Sequence, residues 1–350
     1  MKTAVFFLSP SCGGAERMTI TIAKLLDRSE YDVRFVVIGC QIGEIKEFIP
    51  EGYPISLIKI RKIYEFVTLR IYRLLQDIHP QYVFCSLHYL NPRVICAAKI
   101  LGNCKVIVRQ NCAISRLRKL DRFLAQKTYP LADVIIAQTK QMKKDLETEF
   151  KLNKDKVISL HNLIDKETIE KELKEAVNPY EKEKNKVYVW VGRFDPVKGA
   201  DIAIKAFIEA NRQNHNISLY LVGKINEQNS YYQKVRFIAN SSECRDNIHF
   251  VGFQENPYRW MKYADCFVLS SRSEGSPNAL FEAIFIGIPS IATRCTPNID
   301  EIVKDGENGF LVNINDVEGM SDCMLKAFLL KEVKTVYNHS TPNDFRCLFS

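Results

Sequence analysis

Short apolar runs alternate with amphipathic stretches along most of the chain. In the first half the runs fall at residues 4–8, 33–38, 55–58, 82–86, 105–109, 134–137 and 157–160. In the second half they fall at 187–191, 218–222, 248–251, 266–269, 289–292 and 309–312. Each is nearly continuous in apolar residues. A strand has this pattern when both its faces are buried, as in a parallel sheet. Between many runs, apolar residues recur at helical spacing: Met18, Ile22 and Leu25 early in the chain, and Ala203, Phe207 and Ala210 later. That period marks a helix with one buried face. Strands and helices in alternation predict an α/β architecture.

The pattern changes between Asp165 and Lys186. The decapeptide that starts at Lys166 is dense in charge, and Asn178-Pro179 interrupts any helix before a new apolar run starts at Val187. The expected division is an N-terminal domain over 1–165, a linker over 166–186, a C-terminal domain over 187–335 and a short tail over 336–350. A chain of 350 residues has the length of two domains. No apolar stretch is long enough to span a membrane, and the run at 4–8 is too short for a signal-peptide core. It is expected to be the first buried strand.

Composition narrows the class. Apolar residues make up 46% and charged residues 26%, which excludes a disordered chain. The eleven cysteines form no C-x-x-C pair, and the histidines do not cluster near them. A disulfide framework and a zinc site are both disfavoured. A reducing compartment is expected, with most cysteines acting as small buried hydrophobes. The net charge of +8 is uneven. Residues 1–165 carry 26 Lys and Arg against 16 Asp and Glu, a balance of +10, and the remainder carry 23 against 25, a balance of −2. A basic half suits an anionic partner: nucleic acid, an acidic membrane surface or a phosphorylated substrate. No recognised nucleic-acid motif accompanies the charge, so no nucleic-acid partner is expected.

Four segments carry candidate chemistry. The first is Ser11-Cys12-Gly13-Gly14-Ala15-Glu16, after the first strand and before the first helix. Paired glycines there let backbone N–H groups approach a phosphate at a helix N-terminus, and a tight turn needing positive φ accounts for them equally well. The second is Gly192-Arg193-Phe194-Asp195-Pro196-Val197-Lys198-Gly199, at the carboxyl end of a strand. Arg193 and Lys198 are expected to meet across this loop and clamp a diphosphate; the alternative is two solvated surface cations. The third is Glu274-Gly275-Ser276-Pro277-Asn278-Ala279-Leu280-Phe281-Glu282. Its turn should open a helix near Asn278 whose free N–H groups hold a phosphate. Glu274 would accept from sugar hydroxyls and Glu282 from ribose hydroxyls; an ordinary exposed helical Glu is the other account of Glu282. Its apolar neighbours Ala283, Ile284 and Phe285 favour a partnered carboxylate. The fourth is His88, just after a strand, where it would touch a reacting sugar or its phosphate; a structural histidine is the competing account. No Ser/His/Asp set and no metal-ligand cluster stands out, so no metal is expected.

Taken together, these segments resemble the retaining glycosyltransferases of group 1, or family 4, which have the GT-B fold of two Rossmann-like domains facing across a cleft. The resemblance rests on Gly13-Gly14-Ala15-Glu16, on Val191-Gly192-Arg193 with Lys198-Gly199, and on Glu274 and Glu282 as E-x7-E. The segments Phe250-Val-Gly-Phe253, Gly287-Ile-Pro289 and Asn308-Gly309-Phe310-Leu311-Val312 add to it. It runs from about residue 3 to about residue 330. It implies a nucleotide-sugar co-substrate, often a UDP-sugar, held mainly by the C-terminal domain. Arg193 and Lys198 match residues that neutralise the leaving diphosphate, Glu282 the ribose ligand, and Glu274 the donor-sugar ligand. Gly192, Gly275, Ser276, Pro277 and Asn278 belong to the same donor site, and Gly13 and Gly14 to a loop that reaches the donor phosphates. His88 holds a place where such enzymes have a histidine near the donor sugar. No cofactor is implied.

The resemblance implies transfer to a glycan or lipid-linked acceptor with retention, in envelope polysaccharide synthesis. The implied location is the cytoplasm, peripheral on the inner face of the membrane. A nucleotide-sugar 2-epimerase of the same fold and a non-catalytic nucleotide-sugar binding protein are the alternatives. Family members end in helices that cross back onto the N-terminal domain. Here Thr341-Pro342 interrupts a short tail, so an abbreviated strap is expected. Basic clusters at Lys59-Ile60-Arg61-Lys62 with Arg70 and Arg73, and at 116–127, suit an anionic bilayer. In the second cluster Leu117, Leu120 and Leu124 share one helical face, which would meet either the bilayer or the core.

Overall fold

A computed structural model describes residues 1–11, 13–60, 67–296, 299–330 and 340–350. Cys12, Arg61, Lys62 and the 335/336 boundary therefore lie outside the described residues. The chain forms two compact units, one of residues 1–163 with 339–350 and the other of residues 164–338.

In the first unit the elements run β1 (Lys2–Leu8), α1 (Gly14–Lys24), β2 (Tyr31–Gly39), β3 (Ile55–Lys59), α2 (Val67–Ile78), β4 (Tyr82–Cys85), α3 (Asn91–Leu101), β5 (Lys105–Gln110), α4 (Lys119–Thr128), β6 (Val134–Ala137), α5 (Lys140–Glu149) and β7 (Val157–Ser159). The second unit runs α6 (Lys166–Lys174), β8 (Lys186–Val191), α7 (Ala200–Gln213), β9 (Ile217–Val222), α8 (Ser230–Asn240), β10 (Ile248–Gly252), α9 (Tyr258–Lys262), β11 (Cys266–Leu269), α10 (Asn278–Ile286), β12 (Ser290–Thr293), α11 (Ile299–Ile302), β13 (Gly309–Val312) and α12 (Val317–Lys326). The chain then returns to the first unit as α13 (Pro342–Arg346).

Both sheets are parallel. The first has the order β3-β2-β1-β4-β5-β6-β7 and the second β10-β9-β8-β11-β12-β13. Every apolar run expected as a strand is one, within a residue or two at its ends. Their continuity has the expected cause. In β1, Val5 and Phe7 face one apolar cluster while Ala4, Phe6 and Leu8 face another, all fully buried. Met18 and Ile22 of α1 and Ala203, Phe207 and Ala210 of α7 are buried, as their spacing requires.

Three expectations need correction. First, residues 166–186 are not a linker. They contain α6, whose Ile169 is 1% exposed in the core of the second unit. Tyr180 donates its hydroxyl to Trp260 O at 2.8 Å, and Tyr263 donates to Ala176 O at 2.9 Å, fastening the segment to α9. Its dense charges are the solvated side of a helix that buries one apolar stripe. Second, the short tail is not interrupted at Thr341-Pro342. Phe345 and Phe349 are buried in the first unit, Phe349 against Phe6, Phe84 and Tyr82. Thr341-Pro342 opens α13 instead of breaking it: the Thr341 hydroxyl accepts from Asp344 N–H, the Asp344 carboxylate answers at Thr341 N–H, and Pro342 fills the first turn. Third, the ten described cysteines are free, but only five are buried.

Candidate functional site

In an open parallel sheet, ligands bind outside the carboxyl ends of strands where the strand order reverses. The first sheet reverses at β1, which lies between β2 and β4; the second reverses at β8, between β9 and β11. The candidate residues gather there in each unit. Gly13 and Gly14 follow β1 and His88 follows β4. Gly192, Arg193 and Lys198 follow β8; Glu274 through Asn278 follow β11.

In the second unit, Phe194 anchors the loop after β8. It stacks on Trp190 with ring centres 5.4 Å apart and meets Tyr232 edge-on at 4.9 Å. Asp195 caps the next turn by accepting from Val197 N–H at 2.8 Å. Gly199 then adopts φ +67°, and a Cβ there would lie 2.0 Å from Ser270 O, so no other residue fits without moving the backbone. This close approach lays the β8 loop on the β11 loop. The Ser270 hydroxyl donates to Gly199 O at 2.7 Å.

Lys198 meets a carboxylate from the β11 loop. Its ammonium lies 2.7 Å from Glu274 Oε1, and the Ser271 hydroxyl donates to the same oxygen at 2.7 Å. The Glu274 side chain is 9% exposed and that of Lys198 29%. A nearly buried carboxylate needs a charge and hydrogen bonds, and Lys198 with Ser271 supplies both. Arg193 is exposed, and no ion pair of its guanidinium occurs among the described residues. Gly275, Ser276 and Pro277 lead directly into α10, which starts at Asn278 as expected and has no side-chain cap. The Ser276 hydroxyl is buried without a partner among the described residues. Glu282, the fifth residue of α10, is half-buried. The Cys295 thiol is pushed up to about 12 by burial and then by Glu274, so it is no nucleophile at neutral pH.

A fastening that sequence reasoning did not reveal holds the two loops together. Arg272 donates both guanidinium nitrogens to Asp201, at 2.9 and 2.8 Å, and a further bond to Pro196 O at 2.5 Å. Its backbone N–H bonds Val197 O at 2.7 Å. The Tyr231 hydroxyl completes the set at 2.5 Å from Asp201. Burial alone would raise the Asp201 carboxyl; the Arg272 fork and the Tyr231 hydroxyl more than offset this and hold it below the ordinary carboxylate range.

In the first unit Gly13 has φ −105°, an ordinary extended conformation, so positive φ does not explain it. A Cβ at Gly13 would lie 2.9 Å from Glu16 Oε2, so a side chain there would have to displace the end of the Glu16 side chain. The Gly13 N–H is not free for a phosphate. It donates to Glu16 Oε2 at 3.1 Å, while the Ser9 hydroxyl donates to Oε1 at 2.5 Å. Glu16 is 7% exposed and takes these donors because a buried carboxylate must. Burial, with Glu16 adding to it, pushes the nearby Tyr89 hydroxyl up to about 12. The His88 ring is half-buried, with Nδ1 at 2.9 Å from Asn111 Oδ1. Asn111 carries no signal in the sequence either; it lies just past β5, 23 residues from His88. Among the described residues no group of three or more His, Cys, Asp or Glu is placed to hold a metal ion.

Each of the two units matches a known protein family. The family model "Glycosyl transferases group 1" matches residues 170–340, and "Glycosyltransferase Family 4" matches residues 12–168. An uncharacterized glycosyltransferase of Methanocaldococcus jannaschii is 31% identical over 181 residues, 50% of this chain and 43% of that relative. The Campylobacter jejuni N-acetylgalactosamine-N,N'-diacetylbacillosaminyl-diphospho-undecaprenol 4-alpha-N-acetylgalactosaminyltransferase is 24% identical over 336 residues, 91% of this chain and 88% of its own. Among solved structures, Anabaena Alr3699/HepE in complex with UDP superposes with a TM-score of 0.76 at 17% identity, covering 93% of this chain and 90% of that one.

Proposed function

The chain belongs to the group 1, family 4 glycosyltransferases of GT-B fold, and from that premise we propose that it moves a sugar from a UDP-sugar to a lipid-linked glycan, with retention of configuration. The observation that carries this reading is the Lys198–Glu274 pair at the strand-order reversal, beside the uncapped start of α10 with its unpartnered Ser276 hydroxyl. The C. jejuni relative acts on a diphospho-undecaprenol substrate and the Anabaena structure contains UDP. Both support the choice of donor and acceptor. We assign peripheral attachment to the inner face of an anionic membrane on the same grounds.

In this reading no protein base is required. The leaving diphosphate gains charge as the glycosidic bond breaks. Arg193, Lys198 and the N–H groups at the start of α10 stabilise that charge. Glu274 accepts from donor-sugar hydroxyls and Glu282 from ribose hydroxyls. Protein cations take the role that a metal would otherwise fill, so EDTA is expected to leave turnover unchanged.

The test has two stages. UDP-glucose, UDP-galactose, UDP-N-acetylglucosamine and UDP-N-acetylgalactosamine are screened by thermal shift. A binding donor at a hundred times its Kd stabilises the folded protein by about 2.7 kcal/mol. UDP release is then followed with undecaprenyl-diphosphate-linked glycans, and the anomeric proton of the product is read by NMR. Retention is expected. Silence of every donor in both assays would overturn the reading, and isomerised donor without transfer would replace it with an epimerase.

A further inference from the structure

The least expected contact in the first unit is that between His88 and Asn111. Parallel strands β4 and β5 are neighbours, and the two residues leave their carboxyl ends on adjacent loops. The backbone on either side of Asn111 is fastened by its neighbours. The preceding Gln110 is fully buried and donates from Nε2 to Cys112 O at 2.8 Å, closing the turn around Asn111. The Tyr129 hydroxyl donates to Gln110 Oε1 at 2.5 Å. Asn91 donates from Nδ2 to the Tyr129 oxygen and to Arg109 O, each at 3.0 Å. Asn91 and Tyr129 are also fully buried. Asn91 is bonded in turn to the His88 loop, through its N–H to Leu87 O at 2.8 Å. One buried hydrogen-bond chain therefore ties both loops together. Asn91 Oδ1 is buried without a partner among the described residues, so the order of the two loops rests on the donors and acceptors just named.

The His88 ring is positioned too. Leu87 and Leu90 are buried on either side of it in sequence, and the Tyr89 ring meets it edge-on with centres 5.5 Å apart. The reversed Asn111 amide would donate Nδ2–H to a bare Nδ1; with Asn111 Oδ1 facing the ring, a neutral imidazole carries its proton on Nδ1, because an amide oxygen can only accept. Nε2 is then left with a lone pair and no proton, and it has no partner among the described residues.

We propose that Asn111 is a positioning residue that fixes His88 as the Nδ1–H tautomer and presents Nε2 as a hydrogen-bond acceptor for a substrate hydroxyl. The hydroxyl's identity rests on the function proposed above: it belongs to a sugar. A phosphate oxygen is itself an acceptor and gives Nε2 nothing to bond. For the neutral Nδ1–H tautomer, a sugar hydroxyl is therefore the complementary group.

The experiment reads the tautomer directly. Protein labelled with 15N-histidine is examined by long-range 1H–15N correlation, and the His88 ring is assigned as the signal lost in His88→Gln. In the wild type a protonated Nδ1 and a bare Nε2 are expected. Asn111→Leu should convert the pattern to the Nε2–H tautomer or to a mixture, with the melting temperature recorded to show that the fold persists. Asn111→Asp keeps an acceptor at that point and should keep the proton on Nδ1. A wild-type Nε2–H tautomer, or an Asn111→Leu spectrum identical to the wild type, would overturn the assignment. The readout needs no turnover, so it decides the role of Asn111 even if the glycosyltransferase reading fails. Where one of the four UDP-sugars supports UDP release, Asn111→Leu should slow it roughly tenfold or more, as expected when a group in contact with substrate loses its orientation. Unchanged release alongside a changed tautomer would remove the substrate hydroxyl from the proposal.

Discussion

Lys198 and Glu274 are 76 residues apart in the chain and 2.7 Å apart in the fold. Each keeps the other's charge from being stranded, whereas exposed Arg193 has no such duty. The two cations should therefore respond differently to removal. Arg193→Ala should lower turnover by about 10²-fold, typical of a lost charge-stabilising donor, with little change in melting temperature. Lys198→Met should lower both, and Lys198→Met with Glu274→Gln should regain stability but not activity. A double-mutant cycle in urea measures the coupling, expected at roughly 1–3 kcal/mol. Coupling near zero would reduce the pair to a surface contact. The sequence marks both residues as chemistry-bearing, because each lies next to a glycine shortly after an apolar run. It cannot show that they are partners, since the partnership depends on β8 and β11 being neighbours. Asp201 is less legible still, an acidic residue in the first turn of a helix like many others. Its depressed carboxyl contributes stability that is complete above its unfolded value of 3.8 and is lost as pH falls through the lower folded value. The stability gap between wild type and Asp201→Asn should be full above about pH 5 and should close as pH drops below 3.8. A gap independent of pH would mean that Arg272 and Tyr231 do not favour the ionised form.

At the scale of elements, strands are legible almost to the residue and helix faces less evenly: those of α1 and α7 are, that of α4 is not. The continuous apolar runs are forced by burial on both faces of each parallel sheet, so little else is compatible with them. Helix α4 shows where periodicity fails. Leu117, Leu120 and Leu124 have helical spacing, yet only Leu117 is buried, just before the helix starts. Leu124 is half-buried, and Leu120 is 52% exposed together with Phe123 at 55%. Ala125 and Thr128 form the inward face instead. Small residues allow close packing there and weaken the apolar signal that a sequence reading relies on. The outward face combines Leu120 and Phe123 with Lys119 and Lys127, and the Lys127 ammonium lies 5.9 Å from the Phe123 ring centre. Arg122 is partly neutralised by Glu149 at 2.6 Å. A face of exposed apolar side chains ringed by cations suits the headgroup region of an anionic bilayer. Co-sedimentation with vesicles containing phosphatidylglycerol should exceed that with neutral vesicles at low salt, at about 1 kcal/mol per well-placed cation, and should fade as salt rises. Leu120→Ser with Phe123→Ser should abolish binding without moving the melting temperature, because neither side chain is in the core. Undiminished binding would place the membrane surface elsewhere on the molecule.

At the scale of the whole molecule, the count of two α/β units follows from length and from the thirteen apolar runs. Their boundaries do not, because a charged amphipathic helix such as α6 resembles a linker until its one buried stripe is located. The return of the chain into the first unit is hidden for a similar reason. Thr341-Pro342 looks like a break, although a threonine cap, a proline in the first turn and an aspartate three residues after the cap together announce a helix start. The residues beyond that cap are well anchored. Phe349 is 1% exposed, with ring centres 5.6 Å from Phe6 and 5.5 Å from Tyr82, and its carbonyl accepts from the Tyr31 hydroxyl at 2.8 Å. Arg346 donates to Leu25 O at 3.1 Å. The Phe349 contacts reach β1, β2 and β4, so segment 340–350 closes one face of the first sheet near its centre. Phe349→Ala should cost about 3–5 kcal/mol, the usual range for emptying a buried phenylalanine site. The loss should be confined to one unit. Hydrogen exchange of the intact protein is expected to accelerate in β1, β2 and β4 and to stay unchanged in β8, β9 and β11, which share no core residue with Phe349. Equal acceleration in both sheets would show that the two units unfold as one cooperative block, and no acceleration in either would show that the segment adds nothing to the core it enters.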